Sequence, residues 1–335
     1  MAAPARGGLP PGGLGLGVDA YLEFVGEEYL ADFVRRGGAA VKLAVTGDDA
    51  VAARLHTGLA AVADAEGYVY AEVDAASVRL HLADQLFFAV SRQVDWLAGA
   101  AGTVRAAYQA VDFPAAPDEL TVAAVAEHHE VNPGELHRSV RRHLEQALLG
   151  DAALGHEFRL AVHRLAQHLL GRGDVDDAER DAVLGWLRGQ KVPAAALRSA
   201  SIYGRIGRHS ARSMLTSLAR WLASAGSAGL VLDLDLARLA VARRPPAPER
   251  DGLYYSKAAT LDAYEVIRQL IDATDTLSSM FVVVTLPPGL LTDEARGLPT
   301  YSALHLRVAD EVRDRRRANP YAALVRLDVR VEAVP

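Results

Sequence analysis

Apolar positions along the chain switch between helical and strand spacing in an ordered way. From about Asp19, residues Tyr21, Leu22, Phe24, Val25, Tyr29, Leu30 and Phe33 recur at helical spacing, and Gly37-Gly38 ends that helix. Ala39 to Thr46 is a short continuous apolar run that reads as a buried strand, closed by Gly47-Asp48-Asp49. Val51 to Ala65 predicts a helix with Gly67 beyond its end, and Tyr68 to Asp74, rich in Val and Tyr, predicts a second strand. Strand, tight turn, helix and strand make a βαβ unit, whose crossover is right-handed in a parallel sheet.

Residues from about 82 to 110 predict a long helical stretch, with Pro114 and Pro117 at its exit. An all-helical segment follows, in which Phe158, Val162, Leu165 and Leu169 share one face and Asp176 to Arg188 restarts a helix after Gly171-Arg172-Gly173. Ser210 is placed to cap the next helix, with a stripe of Met214, Leu215, Leu218, Trp221 and Leu222. Leu230 to Leu234 is a third strand running into Asp235. A Pro-rich charged segment, Arg243 to Gly252, predicts a mobile loop. Tyr254-Tyr255, just beyond it, could stack on a base or partner or pack as the loop's hinge. Met280 to Leu286 and Ala323 to Val331 predict the last two strands, separated by a helix around Tyr301, Leu304, Val308 and Val312. Five strands alternating with helices imply an α/β fold: a five-stranded parallel sheet with helices on both faces and a helical insertion. The expected domains are a flexible Gly/Pro/Ala leader over 1–18, one half of the α/β domain over 19–113, the helical insertion over 114–200, and the second half over 201–335.

Composition narrows the chemistry. The chain has 335 residues, half of them apolar, which is enough for a substantial core. Zero cysteines exclude disulfides, thiolate metal sites and cysteine nucleophiles. A net charge of -6 argues against a globally basic nucleic-acid binder. The local run Arg313, Arg315, Arg316 and Arg317 is interleaved with Asp310, Glu311 and Asp314, as on a solvated helix end. Neither a long uninterrupted apolar run nor a secretory signal pattern occurs, so a cytoplasmic protein with no membrane contact is expected. The histidine-rich stretch His128-His129-Glu130, His137, His143, His156, His163 and His168 holds no H-x-x-x-H pair and reads as solvated histidines, with no metal site. No G-x-S-x-G motif occurs, and no catalytic residue is assigned.

A strand ending in Gly47 followed by a helix, and much later the strand Gly229-Leu-Val-Leu-Asp-Leu-Asp235, stand in the places of the Walker A and Walker B motifs. The chain resembles an AAA+-type P-loop NTPase. The block Arg205-Ile-Gly-Arg-His-Ser-Ala-Arg-Ser-Met-Leu-Thr-Ser-Leu-Ala-Arg220, the turn Gly226-Ser-Ala-Gly229, the helix Ile267 to Asp275 and Gly297-Leu-Pro-Thr-Tyr-Ser-Ala-Leu304 resemble the ATP-binding proteins of BREX phage-defence loci, the BrxC/BrxD-like family. That resemblance implies a sheet of order 5-1-4-3-2, with nucleotide at the carboxyl ends of the first and third strands.

Carried over residue by residue, the resemblance implies a degenerate nucleotide site at Gly47, Asp48, Asp49, Arg54, Asp235 and Thr285. A Walker A loop needs glycines for backbone N–H groups to wrap phosphate, a lysine, and a hydroxyl for magnesium. Gly47 to Arg54 keeps only the first glycine: Ala52 replaces the second, Ala53 the lysine and Arg54 the hydroxyl, while Asp48 and Asp49 would repel a triphosphate. Asp235 takes the Walker B aspartate position, but the water-orienting acid after it is Leu236. Asp233 lies roughly 6.5 Å deeper on the same strand face and does not obviously replace it. Thr285 takes the sensor position on the fourth strand. Lys42, within the first strand, is read as an edge or snorkelling side chain rather than a substitute phosphate ligand. With the sequence ending at Pro335, the helical lid that follows the fifth strand in AAA+ proteins is not expected. Each lost electrostatic group typically costs about 10²–10³ in rate, so the expected protein is a pseudo-ATPase without a required cofactor, and ATP with magnesium could bind only if the degenerate site still holds them. It would work as a scaffold for a protein partner such as a catalytic P-loop paralogue. Two alternatives stay open: a nucleotide-binding switch that does not hydrolyse, and a nucleic-acid adaptor. For the second, and for contacts made in trans, Arg205, Arg208 and Arg212 are the candidates.

Overall fold

The computed structural model describes residues 15–309 and 319–328. The chain forms β1 (Leu16–Gly17), α1 (Val18–Phe24, continuing as a π-helical Val25–Val34), β2 (Ala39–Thr46), α2 (Asp49–Ala65) and β3 (Val69–Asp74). Helices α3 (Ala83–Ser91), α4 (Trp96–Ala110), α5 (Val122–His128), α6 (Pro133–Leu144, continuing as a π-helical Glu145–Leu149), α7 (His156–Leu169), α8 (Asp177–Leu187), α9 (Ala194–Arg198) and α10 (Arg208–Ser224) follow. The last elements are β4 (Leu230–Asp235), α11 (Lys257–Asp272), β5 (Met280–Leu286), α12 (Gly289–Thr292), α13 (Ser302–Ala309) and β6 (Leu324–Asp328). They belong to two compact units, one made of the chain before Phe87 together with the chain from Val231, the other spanning Phe87–Leu230.

The first unit is built on a six-stranded sheet of order β1-β6-β2-β5-β4-β3, flanked by helices. The pairings of β1 with β6, β6 with β2 and β2 with β5 are parallel, with Lys42 opposite Val283 and Ala44 opposite Thr285. One strand more is present than the five expected. The addition is β1, two residues that pair with Leu327 and Asp328 and fall within the segment expected as a leader. Two residues carry no readable period, and Gly15 just before them lies so close to Asp328 that a Cβ there would sit 2.9 Å from that side chain. Counted without β1, the strands run fifth, first, fourth, third, second across the sheet, the order that the P-loop resemblance implies. The central strands β2 and β5 are buried almost throughout, which is why both read as continuous apolar runs.

Lys42 lies on β2, which is central, so it is not an edge residue. It is 5 % exposed, donates to the carbonyls of Tyr321 and Ala322, and sits 4.9 Å from the Tyr29 ring centre. Of the last predicted strand, Leu324–Asp328 is present, and residues 329–331 lie outside the described residues, as do residues 1–14, Val312 and the Arg313–Arg317 cluster.

The second unit is helical and extends on both sides of the 114–200 segment. Its core joins α4, α7 and α10: Trp96 stacks on Trp221 at 5.5 Å, Phe158 packs against both rings, and the Trp221 indole donates to Thr103 Oγ1 at 3.1 Å. These aromatic contacts draw residues on either side of 114–200 into one hydrophobic unit. The 82–110 stretch is two helices, because Asp95 accepts from the Ala98 amide and starts α4 afresh. Helix α10 starts at Arg208, with Gly207 as N-cap. Ser210 therefore lies in its first turn, where its Oγ accepts from the Gly207 amide at 3.1 Å. His163, expected in solvent, is buried, and the loss of hydration pushes its pKa down to about 4.

Candidate functional site

At the carboxyl end of β2 the chain turns into α2 within two residues, Gly47 and Asp48. Asp48 is the N-cap: its backbone is extended and its Oδ1 accepts from the Val51 amide at 2.9 Å. Of the residues aligned with a phosphate loop, Gly47 to Arg54, those from Asp49 onward are the opening turns of α2, which starts two residues before the expected Val51. A helix N-terminus attracts anions through its free amides and the positive end of its dipole. Here the protein's own Asp48 carboxylate takes that place, with Asp49 exposed beside it. Arg54 points out along α2, where its guanidinium pairs with Asp19.

Deeper in the same unit the sheet carries a buried charge cluster. Asp233, in the middle of β4, is 0 % exposed. His56, on the face of α2 toward it, donates from Nδ1 to Asp233 Oδ2 at 2.6 Å, and Tyr70 of β3 donates its hydroxyl to the same oxygen at 2.8 Å. The other ring nitrogen of His56 lies 3.7 Å from Asp235 Oδ2. Burial disfavours a charged His56, but the hydrogen bond to Asp233 and the negative charges of Asp233 and Asp235 outweigh it and push its pKa up to about 10. The ring is therefore an imidazolium at neutral pH, shared between two aspartates. Burial pushes the Tyr70 hydroxyl well above its ordinary range, and Asp233 adds to the shift, so Tyr70 stays a neutral donor.

Asp235, which the resemblance puts in the Walker B place, accepts from the Ala237 amide at 2.7 Å through Oδ1, and its Oδ2 faces His56 at 3.7 Å. Its backbone carbonyl accepts from Ala75 at 3.0 Å, and the Leu236 amide donates to the Thr285 carbonyl at 2.8 Å, so the ends of β3, β4 and β5 lie side by side. Thr285 is buried, and no described group bonds its hydroxyl. The structure thus brings Asp235 and Thr285 to one edge of the sheet with Asp48 and leaves Arg54 outside. Arg205, just before α10, and Arg208 and Arg212 in its first turns are exposed, and among the described residues no side-chain hydrogen bond or ion pair holds their guanidinium groups. Sequence reasoning missed His56 and Tyr70 and set Asp233 aside. The available signal was two aspartates at i and i+2 on a strand that is otherwise apolar, since a carboxylate buried there needs a cation. Among the described residues no group of three or more His, Cys, Asp and Glu side chains is placed to hold a metal ion.

A family model described as BREX system ATP-binding protein BrxC/D matches residues 55–330 of the 335. The chain belongs to that family. The match covers His56, Tyr70, Asp233, Asp235 and Thr285, and the Gly47–Arg54 segment precedes it. No curated protein and no solved structure matches the chain. Two of the blocks that resemble other BrxC/D proteins have clear structural work in the sheet unit. On α11, Glu265 bonds Arg268, Gln269 and Tyr301, and Asp272 holds Arg268 and Arg307 of α13. Arg268 beside it holds the Glu265 carboxyl down at about 2. Tyr264 donates to the Arg296 carbonyl at 2.9 Å, tying α11 to the segment that leads into Gly297–Leu304. No described helix is long and apolar enough to cross a membrane.

Proposed function

We propose that this BrxC/D-family chain is an AAA+-like P-loop subunit that serves a BREX phage-defence assembly as a scaffold and does not hydrolyse ATP. The observation that carries the proposal is charge compensation from within. In a working site, magnesium and a lysine neutralise the Walker B aspartate and the phosphates. In this chain the His56 imidazolium neutralises Asp233 and Asp235, and the Asp48 carboxylate fills the helix N-terminus. The residues do not fit Mg·ATP at that end of β2: incoming phosphates would meet Asp48 and Asp49, while Arg54 is paired with Asp19 and Lys42 is held by backbone carbonyls. A retained fold without this chemistry suits a subunit that binds a protein partner, and a catalytic P-loop paralogue is the natural candidate.

The test is phosphate release from Mg·ATP by the purified protein. We expect no turnover above the Asp235→Ala variant, and turnover that disappears in that variant overturns the proposal. A second reading, ATP held without hydrolysis, draws on the description of the family as ATP-binding. It predicts a Mg·ATP-dependent rise in melting temperature that Asp235→Ala abolishes.

A further inference from the structure

The loops that follow β3 and β4 enclose a cavity of about 490 Å³, within the size range of small-ligand sites. They are fastened together. Tyr255, buried, accepts from the Leu80 amide at 3.0 Å and donates to the Val78 carbonyl, the Leu253 amide donates to the Ala76 carbonyl at 2.8 Å, and Gly252 lies so close that a Cβ would sit 2.9 Å from Ala76 O. Arg238 adds a brace, bonding the Leu253 carbonyl and pairing with Asp251 at 2.6 Å. Beneath them Arg296, 6 % exposed, bonds the carbonyls of Leu239 and Tyr255 and the Thr260 hydroxyl.

The lining of this cavity is one-sided in charge. Arg79, Arg244 and Arg250 line it together with His81, no carboxylate lines it, and among the described residues none of the three arginines pairs with one. Elsewhere on this chain of net charge -6, arginines such as Arg35, Arg164 and Arg220 are held by acids. Tyr254 adds a flat surface. Its ring lies 5.7 Å from the Arg296 guanidinium carbon, which holds it from behind, and the residue is 36 % exposed. Arg250 donates to the Pro245 carbonyl at 3.3 Å, but arginines that meet no carboxylate suit phosphate oxygens, and a ring fixed from one side suits a stacked base. We propose that this cavity binds a nucleoside phosphate unit, with the base on Tyr254 and phosphate oxygens on Arg79, Arg244 and Arg250. Three arginines around one opening can engage more than one phosphate, so the unit can belong to a single strand of nucleic acid as well as to a free nucleotide. The site is distinct from the β2–α2 edge, and its occupancy does not depend on the absence of hydrolysis there.

The test uses the full chain in low salt with two probes, a fluorescein-labelled twelve-residue oligo(dT) by anisotropy and AMP by calorimetry. Tyr254→Leu and the double variant Arg79→Ala/Arg244→Ala remove exposed groups, and unchanged melting temperatures establish that both still fold. We expect each variant to weaken binding about tenfold or more, and the double variant to reduce the salt slope for oligo(dT) by about 1.4, the share of two phosphate contacts on a single strand. Oligo(dT) binding alone identifies a strand as the ligand, and AMP binding alone identifies a free nucleotide. Either result supports the site if the variants weaken it. Failure of both probes to bind, binding that the variants leave unchanged, or inorganic phosphate competing as well as AMP with no effect of Tyr254→Leu would overturn it.

Discussion

Two places along the carboxyl end of one sheet handle charge in opposite ways. At the β2–α2 junction the turn is two residues long, its helix amides are met by Asp48, and the acids behind it are met by His56. At the β3 and β4 ends the loops are long, fastened by Tyr255 and Arg296, and their rim arginines meet no carboxylate. The first place sets its acids against its own histidine, and the second has arginines that meet no carboxylate.

The strongest way to break this contrast is to remove the internal cation. His56→Ala leaves Asp233 buried opposite a neutral gap, and we expect a loss of about 3–5 kcal/mol in urea unfolding of the purified protein. A loss below about 1 kcal/mol would mean that the pair contributes nothing particular. Replacing both partners, His56→Leu with Asp233→Leu, should recover most of the loss, since an apolar pair leaves no uncompensated charge.

Next in size is a steric control in the helical unit. A Cβ at Gly102 would sit 1.8 Å from the Ala225 carbonyl oxygen, so Gly102→Ala should cost about 1–3 kcal/mol or more by forcing α4 and the end of α10 apart. The loss should be blind to pH, unlike that of His56→Ala.

The two buried histidines sharpen the comparison between units through pH. His56 has a folded pKa raised to about 10, so its stabilisation is complete below pH 6.5 and is lost as pH rises through about 10. His163 has a folded pKa lowered to about 4, so its cost is absent above pH 6.5 and grows as pH falls toward 4. Stability against pH should therefore fall on both sides of 6.5, with His56→Gln flattening the alkaline limb and His163→Gln the acid one. Identical curves for wild type and variants would remove both assignments. The smallest effect belongs to the cap: Asp48→Ala should cost about 1 kcal/mol and should not create ATP turnover.

Much of the sheet was legible because its central strands are buried on both faces. Ala39–Thr46 and Met280–Leu286 are read to the residue from their apolar runs. The two-residue β1 was not legible, since its pairing partners lie 311 residues away at Leu327 and Asp328 and it has no pattern of its own. The candidate site was half legible. The clash of Asp48 with phosphate was expected from charge alone, but its role as a helix cap was not read, because the residue was placed in the loop and the helix was begun at Val51. His56 was invisible because a lone histidine within an alanine-rich helix carries no motif, and its partner is 177 residues further on. Asp233 was set aside for its depth in the sheet, and that depth is what obliges it to hold a cation. Tyr254 and Tyr255 looked alike in sequence, and burial separates them into a platform and a fastener.

The most direct measurement is the ionisation of His56, followed by long-range proton–nitrogen NMR and assigned by difference from His56→Gln, with and without Mg·ATP. Internal charge compensation predicts an imidazolium that titrates near pH 10 and does not respond to Mg·ATP. Titration near pH 6.5, or a shift of the His56 resonances on adding Mg·ATP, would contradict it.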